Sequence, residues 1–137
     1  MICHACKGTA FKREVVELPT RVGEHRIVDR SVTLPVCQKC SEYVLPAAIH
    51  EGVELRAALV AFTQAPTVTG SMLRFARKAL GFTQPALAER IGTTFESISR
   101  WEREERPMEP WVPLTVLGLV RERLMPPPKN VEFKRAG

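Results

Sequence analysis

The sequence predicts an α+β fold in two parts: a small zinc-bound N-terminal module with short antiparallel strands and a helix, then an all-α domain. Three observations predict it. All four cysteines fall into two Cys-x-x-Cys pairs, Cys3/Cys6 and Cys37/Cys40. Between the pairs the apolar residues alternate in strand fashion. From Ser71 onward they recur at helical spacing, interrupted at Gly81, Gly92, Pro107 and Pro110.

The cysteine pairs carry the sharpest chemistry. A tetrahedral Zn2+ takes four soft ligands, and two short knuckles supply four thiolates, so Cys3, Cys6, Cys37 and Cys40 are expected to bind one structural zinc. Closing the intervening loop costs roughly 3 kcal/mol. Structural zinc contributes on the order of 10–16 kcal/mol in small sites, so the metal dominates. Two disulfides need an oxidising compartment, and the opening Met-Ile-Cys-His shows no charged segment followed by an apolar stretch. A redox Cys-x-x-Cys usually occurs singly. Four thiolates leave no open position for metal catalysis. His4, inside the first knuckle, reads as a surface histidine.

The elements follow in order. Val15 to Leu18, Arg26 to Asp29 and Ser31 to Val36 suggest two or three short strands around a turn at Thr20 to Glu24. Such a sheet is too small to stand alone, which explains the need for a metal clamp. Pro46 suits a helix first turn. Ile49, Val53, Leu55, Leu59 and Val60 continue that helix to about Phe62. Residues 63–70, with Pro66, Gly70 and three threonines, read as a linker and set the domain joint. The expected division is 1–62, a linker 63–70, 71–125, and a mobile tail 126–137.

Within 71–125, Ser71 is expected to cap the first helix and Gly81 to end it. Thr83 caps the next, Gly92 closes it, and Thr93 or Thr94 caps a third reaching about Glu104. A fourth carries Leu114, Leu117 and Val120. The middle has helix-turn-helix spacing. Ala88 is small where helices cross, Gly92 allows positive φ in the turn, and Ile98 and Trp101 point into the core. In such a motif the N-terminal residues of the second helix enter the major groove. The candidate DNA contacts are Thr94, Glu96, Ser97 and Arg100, with Thr83 and Gln84 at a helix N-terminus facing phosphate. Arg100 suits guanine; Glu96 either accepts from cytosine or pairs with Arg100 one turn away. Trp111 is left open between core and dimer contact.

Charge is compatible with DNA. The chain carries net +5, divided as +1 in residues 1–70, +2 in 71–125 and +2 in the tail. Bound zinc with four thiolates makes the first part neutral or slightly acidic, so the basic excess lies C-terminal. No apolar run is long enough to span a membrane, and reduced thiols point to the cytoplasm.

The order of these parts resembles the MqsA (YgiT-type) antitoxins of bacterial toxin–antitoxin pairs. The resemblance covers roughly residues 1–124. Its markers are Cys3-His-Ala-Cys6, Val36-Cys37-Gln-Lys-Cys40, Leu80-Gly-Phe-Thr-Gln84 and Ser99-Arg100-Trp101-Glu102. The helix-turn-helix alone indicates the wider Xre-type repressor class. The resemblance implies an N-terminal module that neutralises a toxin, typically an mRNA-cleaving ribonuclease. It also implies a C-terminal module that dimerises and represses its own operon, with Arg100 matching a base-reading arginine. Glu96 stands where the best-known member has asparagine, so the operator should differ. The alternative function is a free-standing helix-turn-helix regulator. No Ser/His/Asp set, paired carboxylates or Gly-rich phosphate loop supports an enzyme.

Overall fold

A single long hairpin connects the two cysteine pairs. In the computed structural model, which describes residues 1–136, β1 (Phe11–Val22) pairs antiparallel with β2 (His25–Cys37), from Phe11 opposite Cys37 to Val22 opposite His25. A bulge breaks the register: Val16 faces Val32, whereas Leu18 faces Asp29. This inserts one extra residue on β2. Along β2, Ile27 and Asp29 point inward before it, and Val32, Leu34 and Val36 after it, so the strand changes parity without changing face. The inserted residue interrupts the alternation and makes one strand look like two in the sequence. The Asp29 carboxylate closes the bulge, accepting from the Ser31 amide at 2.8 Å and the Ser31 hydroxyl at 2.5 Å. Gly23, at φ 62°, opens the two-residue turn that reverses the chain.

Helix α1 (Ala47–Gln64) follows, with Pro46 as its extended N-cap. Its apolar residues serve two surfaces. Val53 and the half-buried Ile49 pack with Val16, Leu18, Val32, Leu34 and Val36 of the hairpin. Leu55, Ala57, Ala58, Ala61 and Phe62 join the larger core of the C-terminal helices. The hairpin reaches that core too, through Val22 and Ile27. At the turn, a Cβ on Gly23 would lie 2.9 Å from Met72 Cγ. An ion pair adds a polar tie, with Arg56 Nε 2.8 Å from Asp29 Oδ2. Burial acts to raise the Asp29 pKa, but hydrogen bonds from Ser31 and the Arg56 guanidinium outweigh it and hold the carboxyl below its ordinary value.

Four helices follow: α2 (Gly70–Ala79), α3 (Gln84–Ile91), α4 (Phe95–Glu102) and α5 (Trp111–Leu124). Thr69, not Ser71, caps α2; its hydroxyl accepts from the Met72 amide at 3.4 Å. The start moves back because Gly70 fits against α4. A Cβ there would lie 2.3 Å from the Trp101 carbonyl oxygen, so only glycine begins the helix at this crossing. Thr83 and Thr94 cap α3 and α4, and Gly92 ends α3 in the left-handed region at φ 80°. Leu73, Ala76, Leu87, Ala88, Ile98, Trp101, Val112, Val116 and Val120 are buried between the helices. Residues 126–136 carry no helix or strand and are exposed; the expected tail's last residue, 137, lies outside the described residues.

Candidate metal centre and nucleic-acid interface

The strand pairing brings the cysteine pairs together. Cys37 is the last residue of β2 and lies opposite Phe11, while the Gln38 amide donates to the Ala10 carbonyl at 2.9 Å. The two knuckles repeat one geometry. Lys7 and Ser41 each follow the second cysteine of a pair, with φ 62° and 67°. Their amides donate to the carbonyls of Cys3 and Cys37 at 2.9 and 2.8 Å. Each knuckle thereby curls both of its sulfurs to one side.

The sulfurs of Cys3 and Cys40 are 3.5 Å apart, those of Cys6 and Cys37 3.6 Å, and all four lie within 4.8 Å of one another. Tetrahedral Zn–S bonds of about 2.3 Å set sulfurs about 3.8 Å apart. A disulfide sulfur pair lies at about 2.05 Å, so the spacing fits one shared metal and not a bond. Gly8 was not singled out by sequence reasoning. Its amide donates to Cys6 Sγ at 3.4 Å, and a Cβ there would lie 3.2 and 3.3 Å from Cys6 and Cys37 sulfurs. The four cysteines can therefore hold one metal ion with all four thiolates, leaving no open position for chemistry.

The thiols do not ionise equally. Amides of Cys40 and Lys39 bring the Cys37 pKa down to about 7, and the Cys6 amide lowers that of Cys3. At Cys40 the Glu42 amide is the largest influence and lowers the pKa, but burial and the neighbouring thiols prevail and push it up to about 12. A divalent cation replaces the protons that like-charge repulsion otherwise retains.

In the helical part, a buried ion pair fixes α4. Arg77 Nε and Nη2 donate to the Glu102 carboxylate at 2.7 and 3.0 Å, and Nη1 donates to the Phe82 carbonyl at 3.0 Å. The two side chains are 10% and 4% exposed. Gln84 Nε2 donates to the same carboxylate at 3.2 Å. One carboxylate thus ties α2, the α2–α3 turn and the start of α3 to the end of α4. Arg77 is the charged residue among the buried, otherwise apolar side chains of α2. Its spacing from Leu73 and Leu80 puts it on the buried stripe of α2.

The sequence-expected DNA contacts occupy two helix starts. Thr83 is exposed, and its hydroxyl accepts from the Ala86 amide at 3.2 Å. The Gln84 side chain is committed to Glu102, so its backbone amide is what remains for a phosphate at this end, Pro85 having none. At α4, Thr94 accepts from the Ser97 amide at 3.2 Å. Ser97 is half-buried, its hydroxyl accepting from Thr94 and from Arg106 Nη2 at 3.1 and 3.0 Å. Glu96 and Arg100 are exposed, and among the described residues neither side chain makes a hydrogen bond or ion pair. Of the two readings left open for Glu96, the pairing with Arg100 is not formed, and both side chains are free for a ligand. Trp111 is 37% exposed and meets buried Trp101 edge to face, so it contributes to packing and to surface.

Comparison with known families agrees with this geometry. The helix-turn-helix family HTH_3, of the Xre type, matches residues 73–108, from within α2 to just beyond α4. No curated protein matches the chain. The matched segment is a helix-turn-helix of the kind DNA-binding transcriptional regulators carry, and it follows a module with a candidate metal site. Among the described residues, no helix is long and apolar enough to cross a membrane.

Proposed function

We propose that the chain is a dimeric repressor with a structural zinc, acting as the antitoxin of a type II toxin–antitoxin pair. The observation that carries the DNA-binding part is the unpaired Glu96–Arg100 surface on the first turns of α4, backed by a helix held through Arg77 and Glu102. Zinc is the metal because four closed thiolates suit a redox-inert tetrahedral ion. Residues 1–62 form the zinc module that binds a ribonuclease toxin; residues 71–125 bind the operator and dimerise. Arg100 reads guanine and Glu96 accepts from cytosine. Thr83, Gln84, Thr94 and Ser97 position the motif on the backbone.

Dimerisation runs through α5. Trp111, Leu114, Gly118 and Arg121 fall on one stripe at helical spacing. Leu114 is 70% exposed, and a Cβ on Gly118 would meet nothing within 4 Å, leaving a shallow surface for a second helix. A two-fold dimer supplies the second half-site that one helix-turn-helix lacks.

The toxin reading rests on the family resemblance and the domain order. One observation favours the free-standing regulator as second reading: α1, Val22 and Ile27 join hairpin and helices into continuous packing, so the zinc module also serves as a structural support. Co-expression separates the two. Each small neighbouring reading frame is induced from an unrelated promoter, with the full chain or its Arg100→Ala variant. Relief of toxicity by both proteins supports the antitoxin reading, because repression plays no part. Toxicity in none of the neighbours leaves the free-standing regulator as the account.

A further inference from the structure

Phe95 occupies the first position of α4, directly after the Thr94 cap. It is 49% exposed, and across residues 73–108 no other large hydrophobic side chain is exposed. It belongs to neither apolar core. The residue beside it is the free carboxylate Glu96, and Arg100 lies one turn further on the same helix. This two-turn helix therefore presents an aromatic ring and an anion in its first turn and a cation in its last, where a helix-turn-helix places its base-reading residues.

The major groove offers one apolar group on its base edges, the C5-methyl of thymine. Water leaves an exposed phenyl ring favourably only for another apolar surface. We infer that Phe95 is a specificity-determining residue that packs on a thymine methyl in each half-site, beside the polar contacts of Glu96 and Arg100. Burial of the ring selects thymine against cytosine, which presents a polar amino group and no methyl at that edge. This inference rests on the operator-binding reading above.

The test isolates the methyl. Duplexes recovered from a random pool by the full-length protein are rebuilt with uracil replacing thymine at each position in turn. Uracil keeps every hydrogen-bonding group and lacks only the methyl. Wild-type protein is expected to lose roughly three- to fivefold in affinity at one position per half-site, the worth of one buried methyl group. Phe95→Ala binds the thymine and uracil duplexes alike. Arg100→Ala weakens binding but keeps the uracil sensitivity, which shows that the effect belongs to Phe95. The inference is overturned if Phe95→Ala retains the wild-type loss, or if no uracil position weakens the wild type. Failure to recover any preferred sequence overturns the operator reading itself, which distinguishes the two failures.

Discussion

Replacing Glu102 by glutamine should unseat the reading helix at little cost in volume. The carboxylate accepts two hydrogen bonds from Arg77 and one from Gln84, and its side chain is 4% exposed. Glutamine removes the charge and sets an amide donor against guanidinium donors. The cation, 10% exposed, keeps the Phe82 carbonyl as its remaining firm partner. Breaking a buried pair from one side costs roughly 3–5 kcal/mol. The surviving carbonyl bond places this case near the lower end, at about 3 kcal/mol. That corresponds to a fall of roughly 10–15 °C in Tm for a chain of this size. Trp101 precedes Glu102 in the core and contacts Trp111, so tryptophan fluorescence during urea unfolding reports the change. The double variant Arg77→Met, Glu102→Leu removes both charges and should recover to within ~1–2 kcal/mol of wild type. A loss under ~1 kcal/mol in Glu102→Gln would refute the reasoning. So would a double variant no more stable than the single.

Three other outcomes follow from the same geometry. Cys37→Ser should abolish stoichiometric zinc by elemental analysis and remove the hairpin's strand signal in circular dichroism, while operator affinity at 25 °C stays within about threefold, α1 still covering the helical core; equal loss of strand signal and DNA binding would show that the helices depend on the clamp. Zinc affinity should fall with acidity, because each protonated thiol must lose its proton to bind. With Cys37 near 7 largely protonated at pH 6 and largely ionised at pH 8, calorimetry in paired buffers should find about one proton more released on zinc binding at pH 6 than at pH 8; a release that does not change between them contradicts the lowered Cys37 pKa. Arg100→Ala should weaken operator binding by about 1–3 kcal/mol with zinc content unchanged, and unaltered affinity removes Arg100 from the reading surface.

What the sequence revealed divides along physical lines. The thiol cluster was legible because ligand chemistry is carried by residue type and short spacing. Ala88, Gly92, Ile98 and Trp101 were legible because close approach, positive φ and burial at fixed offsets admit few residues. The hairpin's length was not, because the bulge near Asp29 adds one residue and reverses the alternation. The dual role of α1 escaped because apolar residues around much of a helix do not say which neighbour each covers. The Arg77–Glu102 pair spans 25 residues, and a charged side chain gives no local sign of its partner. It also redirected Gln84 from phosphate to Glu102. The Thr69 cap depended on a clash at Gly70 that only the helix crossing creates.

Equilibrium selection from a random duplex pool by the purified, zinc-loaded chain tests most directly whether α4 reads DNA. The predicted result is a two-fold symmetric site with half-sites about 34 Å apart, bound by two chains, whose guanine preference disappears in Arg100→Ala. Binding that enriches no sequence and merely weakens with salt would contradict it.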